Sequence, residues 1–191
     1  TVKCIVLKHK NIREKMTYAE ELEYLATNEK RNDFIVNLLQ HLDGNTLCLF
    51  QLVEKHGKPL YDQVQETITD RKTFFVYGGT DTSERENIRG VVENEKKSII
   101  LASYGTFSTG INIRNINNIV FSSPSKSRIR VLQSLGRGLR KTDTKSHVLI
   151  FDIADDISHN NKRNFTLNHF SERISLYNEQ QFDYQISKVK L

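Results

Sequence analysis

Thr46-Leu47-Cys48-Leu49-Phe50-Gln51 reads as one unbroken apolar strand. Successive side chains on a strand point to opposite faces, so a run without polar alternation needs cover on both sides. That is the habit of a parallel sheet packed between helices. Outward from this stretch the pattern recurs. Upstream, residues 29–42 place Phe34, Ile35, Leu38, Leu39 and Leu42 at core-facing helical spacing, and Asp43-Gly44-Asn45 stops that helix. Residues 17–27 form an earlier helix and 2–7 a first strand. Downstream, 52–66 reads as helix, with Gly57 and Pro59 marking a break.

The alternation continues through a strand at 73–77, a turn at Gly78-Gly79 and a helix at 82–93, for which Asp81 or Thr82 supplies the cap. A second buried strand at 98–103 runs into a Gly/Ser/Thr-rich segment. Then come a strand at 118–122, a helix at 127–139, and a strand at 147–153 with Asp152 at its end. Residues 161–177 are a helix and 182–191 a final alternating strand. The expectation is a single α/β domain with a mostly parallel central sheet flanked by helices. In such sheets ligands sit at the carboxyl ends of the strands. Segments 1–30 and 160–191 are candidate peripheral additions.

With 191 residues, 37% hydrophobic and 27% charged, the chain is long enough for one packed core beneath a large charged surface. The formal net charge of +5 leans toward a polyanionic partner. No apolar run approaches a membrane span, and residues 1–7 read as a strand rather than a signal peptide. Cys4 and Cys48 sit inside apolar runs, as buried thiols of a reducing cytoplasm do. The six histidines lack ligand spacing, so no metal site is expected.

Three stretches carry chemistry. In Gln133-Ser134-Leu135-Gly136-Arg137-Gly138-Leu139-Arg140, two arginines three residues apart share a helical face, and adjacent glycines let a phosphate-bearing ligand approach. Guanidinium groups stay charged and chelate phosphate through a planar fork, which suits charge neutralisation in phosphoryl transfer; a basic surface helix is the plainer alternative. Residues 126–145 hold seven lysines and arginines against one acid, Asp143. In residues 102–113, hydroxyls and glycines cluster at a strand end, where small donors and backbone N–H groups can grip phosphate. Gly110 permits close approach and Asn112 can bond a ribose hydroxyl. Third, Tyr77-Gly78-Gly79 precedes Glu84-Arg85; Tyr77 can stack, and Arg85 can pair with a phosphate or a neighbouring acid.

In this order the stretches resemble the second RecA-like domain of superfamily 2 helicases, over residues 30–153. The octet resembles motif VI (Q-x-x-G-R-x-x-R), Gly110-Ile111-Asn112-Ile113 resembles motif V, and TLCLFQ resembles motif IV. The wording of 102–141 is especially similar to phage UvsW-type recombination helicases. The resemblance implies a RecA-like three-layer domain. It also implies that Arg140 is the arginine finger toward the γ-phosphate of ATP, that Arg137 is its companion, and that Gln133 lies near the phosphates. Gly110 and Asn112 fall near the ribose, Asn112 standing where many relatives carry Asp. The hydroxyl that relatives place six residues before that glycine falls on Tyr104, which leaves Ser103, Thr106 and Ser108 as strand contacts, with Thr106 preferred; Arg85 joins this nucleic-acid-binding group.

No GxxxxGK[ST] loop and no DExH-like acid after a strand occur, and Asp155-Asp156 reads as a turn-capping pair. The expectation is therefore half a motor, inactive alone, whose amino-terminal RecA-like domain supplies the P-loop and most of the Mg²⁺ ligation. Its partner is DNA, branched or single-stranded and gripped largely without regard to sequence, in the cytoplasm of a host cell if of phage origin. An RNA helicase domain and a non-enzymatic nucleic-acid-binding module are the alternatives.

Overall fold

A computed structural model describes residues 1–108, 115–124 and 148–191. Seven strands form one sheet: β1 (Val2–Lys8), β2 (Thr46–Phe50), β3 (Thr73–Val76), β4 (Ile99–Ser103), β5 (Asn118–Phe121), β6 (Leu149–Asp156) and β7 (Tyr184–Lys190). Their spatial order is β3-β4-β2-β5-β6-β1-β7, and every pairing is parallel. All carboxyl ends therefore lie along one edge.

The TLCLFQ stretch behaves as its composition requires. Leu47 and Leu49 point into one core layer, with Ile88 and Val92 of α4 (Thr82–Glu93) and Leu167, Phe170 and Tyr177 of α6 (Phe165–Glu179). Cys48 and Phe50 point into the other, with Ile35, Val36 and Leu39 of α2 (Glu29–His41) and Leu60 and Val64 of α3 (Lys58–Thr67). Each fully buried aliphatic side chain contributes about 1.5–3 kcal/mol. The result is a three-layer sandwich. Burial pushes the thiols of Cys4 and Cys48 up to about 12.

Local signals fix the helix ends. Thr17 caps α1 (Tyr18–Thr27) in a capping box with Glu20. Gly44 takes φ 87° after α2, a left-handed turn that glycine adopts cheaply. The break expected at Gly57 is a π-helical turn, Val53–Gly57, running directly into α3. A methyl at Gly57 would overlap the Phe50 ring, so the backbone lies against that ring.

Two sequence expectations need correction. Strand β6 does not stop near Asp152; it runs to Asp156, with Asp155 fully buried inside it rather than capping a turn. The cause is tertiary: Asp155 meets Arg31 and His9, while Asp152 meets Arg173 and Tyr177. Helix α6 begins at Phe165 rather than 161, because His159 and Lys162 close a tight turn over Asn160 and Asn161, both at positive φ. Glu21, from α1, then accepts the Phe165 and Thr166 amides and fills the start of α6. Both terminal segments enter the sheet, and β1 is an interior strand between β6 and β7. No helix among the described residues is long and apolar enough to cross a membrane.

Candidate functional site

The carboxyl edge is assembled from strand-end turns. After β3, the Tyr77 amide donates to Thr80 Oγ1 at 3.1 Å, and the Thr80 amide returns to the Tyr77 carbonyl at 3.0 Å. Arg85 Nη2 donates to the carbonyls of Tyr77 and Gly78, both at 3.1 Å, locking the turn to α4. Its Nε is buried without a hydrogen-bond partner among the described residues. The Tyr77 ring leans over Gly79, where a Cβ would strike it, and Lys58 Nζ lies 5.8 Å from that ring's centre.

On the adjacent strand, β4 leads without a gap into α5 (Tyr104–Ser108). The hydroxyls of Ser103 and Thr106 share a hydrogen bond of 2.6 Å, and the Thr106 amide reaches Ser103 Oγ at 3.4 Å. Both residues are buried, Thr106 to 2% exposure. Tyr104 donates its hydroxyl to the Ser123 carbonyl at 3.0 Å, tying the end of β4 to the segment after β5.

Ser123 is the junction of this edge. Its Oγ accepts the Gln51 amide at 3.1 Å and lies 2.8 Å from His56 Nδ1. His56 Nε2 lies 3.1 Å from Asn32 Oδ1, whose amide nitrogen is committed to the Ala26 carbonyl. An amide oxygen only accepts, so Nε2 carries the proton and Nδ1 accepts from Ser123. Burial, reinforced by the Arg31 charge against the opposing pull of Asp155, lowers His56 to about 3, so it is a neutral relay. Beneath it, Arg31 grips Asp155 through Nε at 2.9 Å and Nη2 at 3.0 Å, and His9 adds a contact of 2.8 Å. Burial alone would raise the Asp155 carboxyl. The Arg31 charge and the bonds from His9 and Arg31 prevail and hold it at about 2.

Of the residues singled out on sequence, Ser103 and Thr106 come together at one strand end, and Arg85 sits beside the turn after the neighbouring strand. Gln133, Arg137, Arg140, Gly110 and Asn112 lie outside the described residues. Sequence reasoning missed His56, Asn32, Ser123 and Arg31, because their partners stand 24 to 124 residues away and no local spacing announces them. Among the described residues no group of three or more His, Cys, Asp or Glu could hold a metal ion. Among the described residues the edge offers backbone turns, hydroxyls and the Arg85 guanidinium beside an ordered polar network, groups of the kind that bond phosphate oxygens.

Comparison with known proteins places this edge in context. The helicase conserved C-terminal domain family matches residues 29–142. The ATP-dependent DNA helicase uvsW of Enterobacteria phage T4 is 36% identical over 188 residues, covering 92% of this chain and 37% of the relative. The crystal structure of T4 UvsW superposes with a TM-score of 0.83 at 34% identity, covering 99% of this chain and 41% of that one. The C-terminal domain of the DEAD-box protein Dbp5 shares the fold, with a TM-score of 0.64 at 14% identity, over 99% of this chain and 90% of its own. The chain thus spans less than two-fifths of the length of its phage relative.

Proposed function

The chain belongs to the helicase conserved C-terminal domain family, and from that premise we propose that it is the second motor domain of an ATP-dependent DNA helicase or translocase acting on recombination and replication-fork intermediates. The observation that carries the reading is the identity of 36% with a phage ATP-dependent DNA helicase across 92% of the chain. The sheet supports it: parallel strands bring every functional turn to one edge, where a second domain can close over a nucleotide.

In this reading ATP lies between this domain and an amino-terminal RecA-like domain that supplies the P-loop and most of the Mg²⁺ ligation. Arg140 reaches the γ-phosphate and Arg137 assists, because phosphoryl transfer is catalysed mainly by positioning and by neutralising developing charge. Gln133 lies near the phosphates, and Gly110 and Asn112 near the ribose. The β3 and β4 ends hold the tracked strand by its phosphates: Arg85 and the Gly78-Gly79 turn at one, Ser103 and Thr106 at the other. The Ser103–Thr106 bond is the contact that rearranges to free a hydroxyl for the strand. Cleft opening after hydrolysis shifts one domain's grip relative to the other.

The test joins this chain to its P-loop domain and measures ATP turnover and strand separation on matched DNA and RNA duplexes. Turnover stimulated by DNA, with DNA duplexes separated faster than RNA, is the expected result. Preference for RNA moves the protein to the RNA helicase class. Nucleic-acid binding with no turnover leaves a binding module.

A further inference from the structure

Positive charge outnumbers negative charge at the carboxyl ends of β1, β6 and β7. Lys10, Arg13 and Lys15 are exposed on the loop after β1, and Lys162 on the loop after β6. Lys8 ends β1 in register with Lys190 of β7 on one side and with Asp156 of β6 on the other. None of these six is in an ion pair among the described residues, whereas Lys55, Lys58, Lys72 and Lys97 each face a carboxylate elsewhere on the surface. Two acids, exposed Glu14 on the loop after β1 and Asp156 beside Lys8, offset only part of this charge. Asp155 is consumed by Arg31 and His9.

These loops are also built to hold their shape. His159 Nδ1 donates to the Ile12 carbonyl at 3.2 Å, joining one loop to the other. Asn164 Oδ1 accepts the Ile157 amide at 3.1 Å, and Arg163 lies along α6, donating to Ser171 Oγ at 2.6 Å. Asn11, Asn160 and Asn161 take φ of 62°, 49° and 61°, left-handed conformations that asparagine tolerates in tight turns. Cations carried on ordered loops, in excess over the nearby acids, make a surface that attracts a polyanion.

We infer that this surface is a second nucleic-acid contact, which holds the phosphate backbone of a duplex arm of branched DNA. It rests on the reading of the chain as a DNA motor domain. From β4, where the tracked strand is placed, β1 is four strands along the sheet (β4-β2-β5-β6-β1). At ~4.8 Å per strand that is about 19 Å. One tracked strand at β4 leaves this surface free, and a branched substrate brings a second arm.

The experiment compares the 191-residue chain with its Lys10→Glu, Lys15→Glu, Lys162→Glu triple variant. A four-way DNA junction and a single strand of matched length are the probes, titrated between about 50 and about 200 mM salt. The expected result is a junction affinity lower by about tenfold or more, a log–log salt slope shallower by about 2 to 3, and single-strand affinity within about twofold. An unchanged junction slope overturns the inference and returns the patch to an acidic protein partner. An equal loss on both probes, or no junction binding by the wild type, also overturns it. The Lys→Gln version of the triple variant keeps the test decisive if charge reversal disturbs the fold, with a smaller loss in the same order expected. Failure of the motor reading shows separately, as absent ATP turnover in the two-domain protein.

Discussion

Buried ionisable side chains set the acid response of this domain. His56 is neutral in the folded state, with its proton-binding range lowered to about 3. In the unfolded chain an ordinary histidine titrates near ~6.5. Between those values the unfolded state takes up a proton that the folded state refuses, so stability falls as pH drops from about 6.5 to about 3. A His56→Gln variant retains an acceptor for Ser123 and a donor for Asn32, and removes the titration. Urea unfolding against pH is expected to show a slope smaller by up to about 1.4 kcal/mol per pH unit across that window; an identical slope would mean His56 is not the group responsible. Asp155 acts lower. Its stabilisation is complete above the unfolded carboxylate value near ~3.9 and is lost as pH falls through about 2. Asp155→Asn leaves Arg31 buried without a counter-charge and should cost about 3–5 kcal/mol in the same assay at neutral pH. A cost below about 1 kcal/mol would show that the pair is dispensable.

At the scale of elements, two joints decide how helices sit on the sheet. Ordinarily a helical glycine replaced by alanine gains stability. At Gly57 the added methyl meets the Phe50 ring, itself stacked on Phe75 at 5.2 Å and unable to yield. Gly57→Ala is therefore expected to lower thermal stability, by about 1–3 kcal/mol; a rise in Tm would contradict the close approach. The Glu21 carboxylate fills the amino end of α6 and accepts from Asn164, Phe165 and Thr166. Glu21→Ala strands those donors and should cost about 2–4 kcal/mol by chemical denaturation. Element identity was legible in the sequence wherever burial acts on both faces. Runs such as 46–51 and 98–103 have no other apolar explanation in a chain of this charge. The carboxyl end of β6 was not legible, because Asp152 read as a strand end and Asp155 as a turn residue until Arg173 and Arg31 are brought beside them by the fold. The late start of α6 escaped for a similar reason: its cap comes from Glu21, 144 residues away from Phe165.

Across the whole molecule, parallel strands gather chemistry from distant parts of the chain onto one edge. The sequence placed the segment holding Ser103 and Thr106 on that edge, since strand-end turns follow directly from the alternation of elements. The network of Asn32, His56 and Ser123 could not be read in advance, for its members share no local spacing. The central claim is the proposal that Arg140, in the octet, acts as the arginine finger of this domain. The measurement that tests it most directly is DNA-stimulated ATP turnover of the chain joined to its P-loop domain, wild type against Arg140→Ala, with ATP binding followed in parallel. The account predicts turnover lower by about a hundredfold or more with ATP still bound. Near-normal turnover would contradict it.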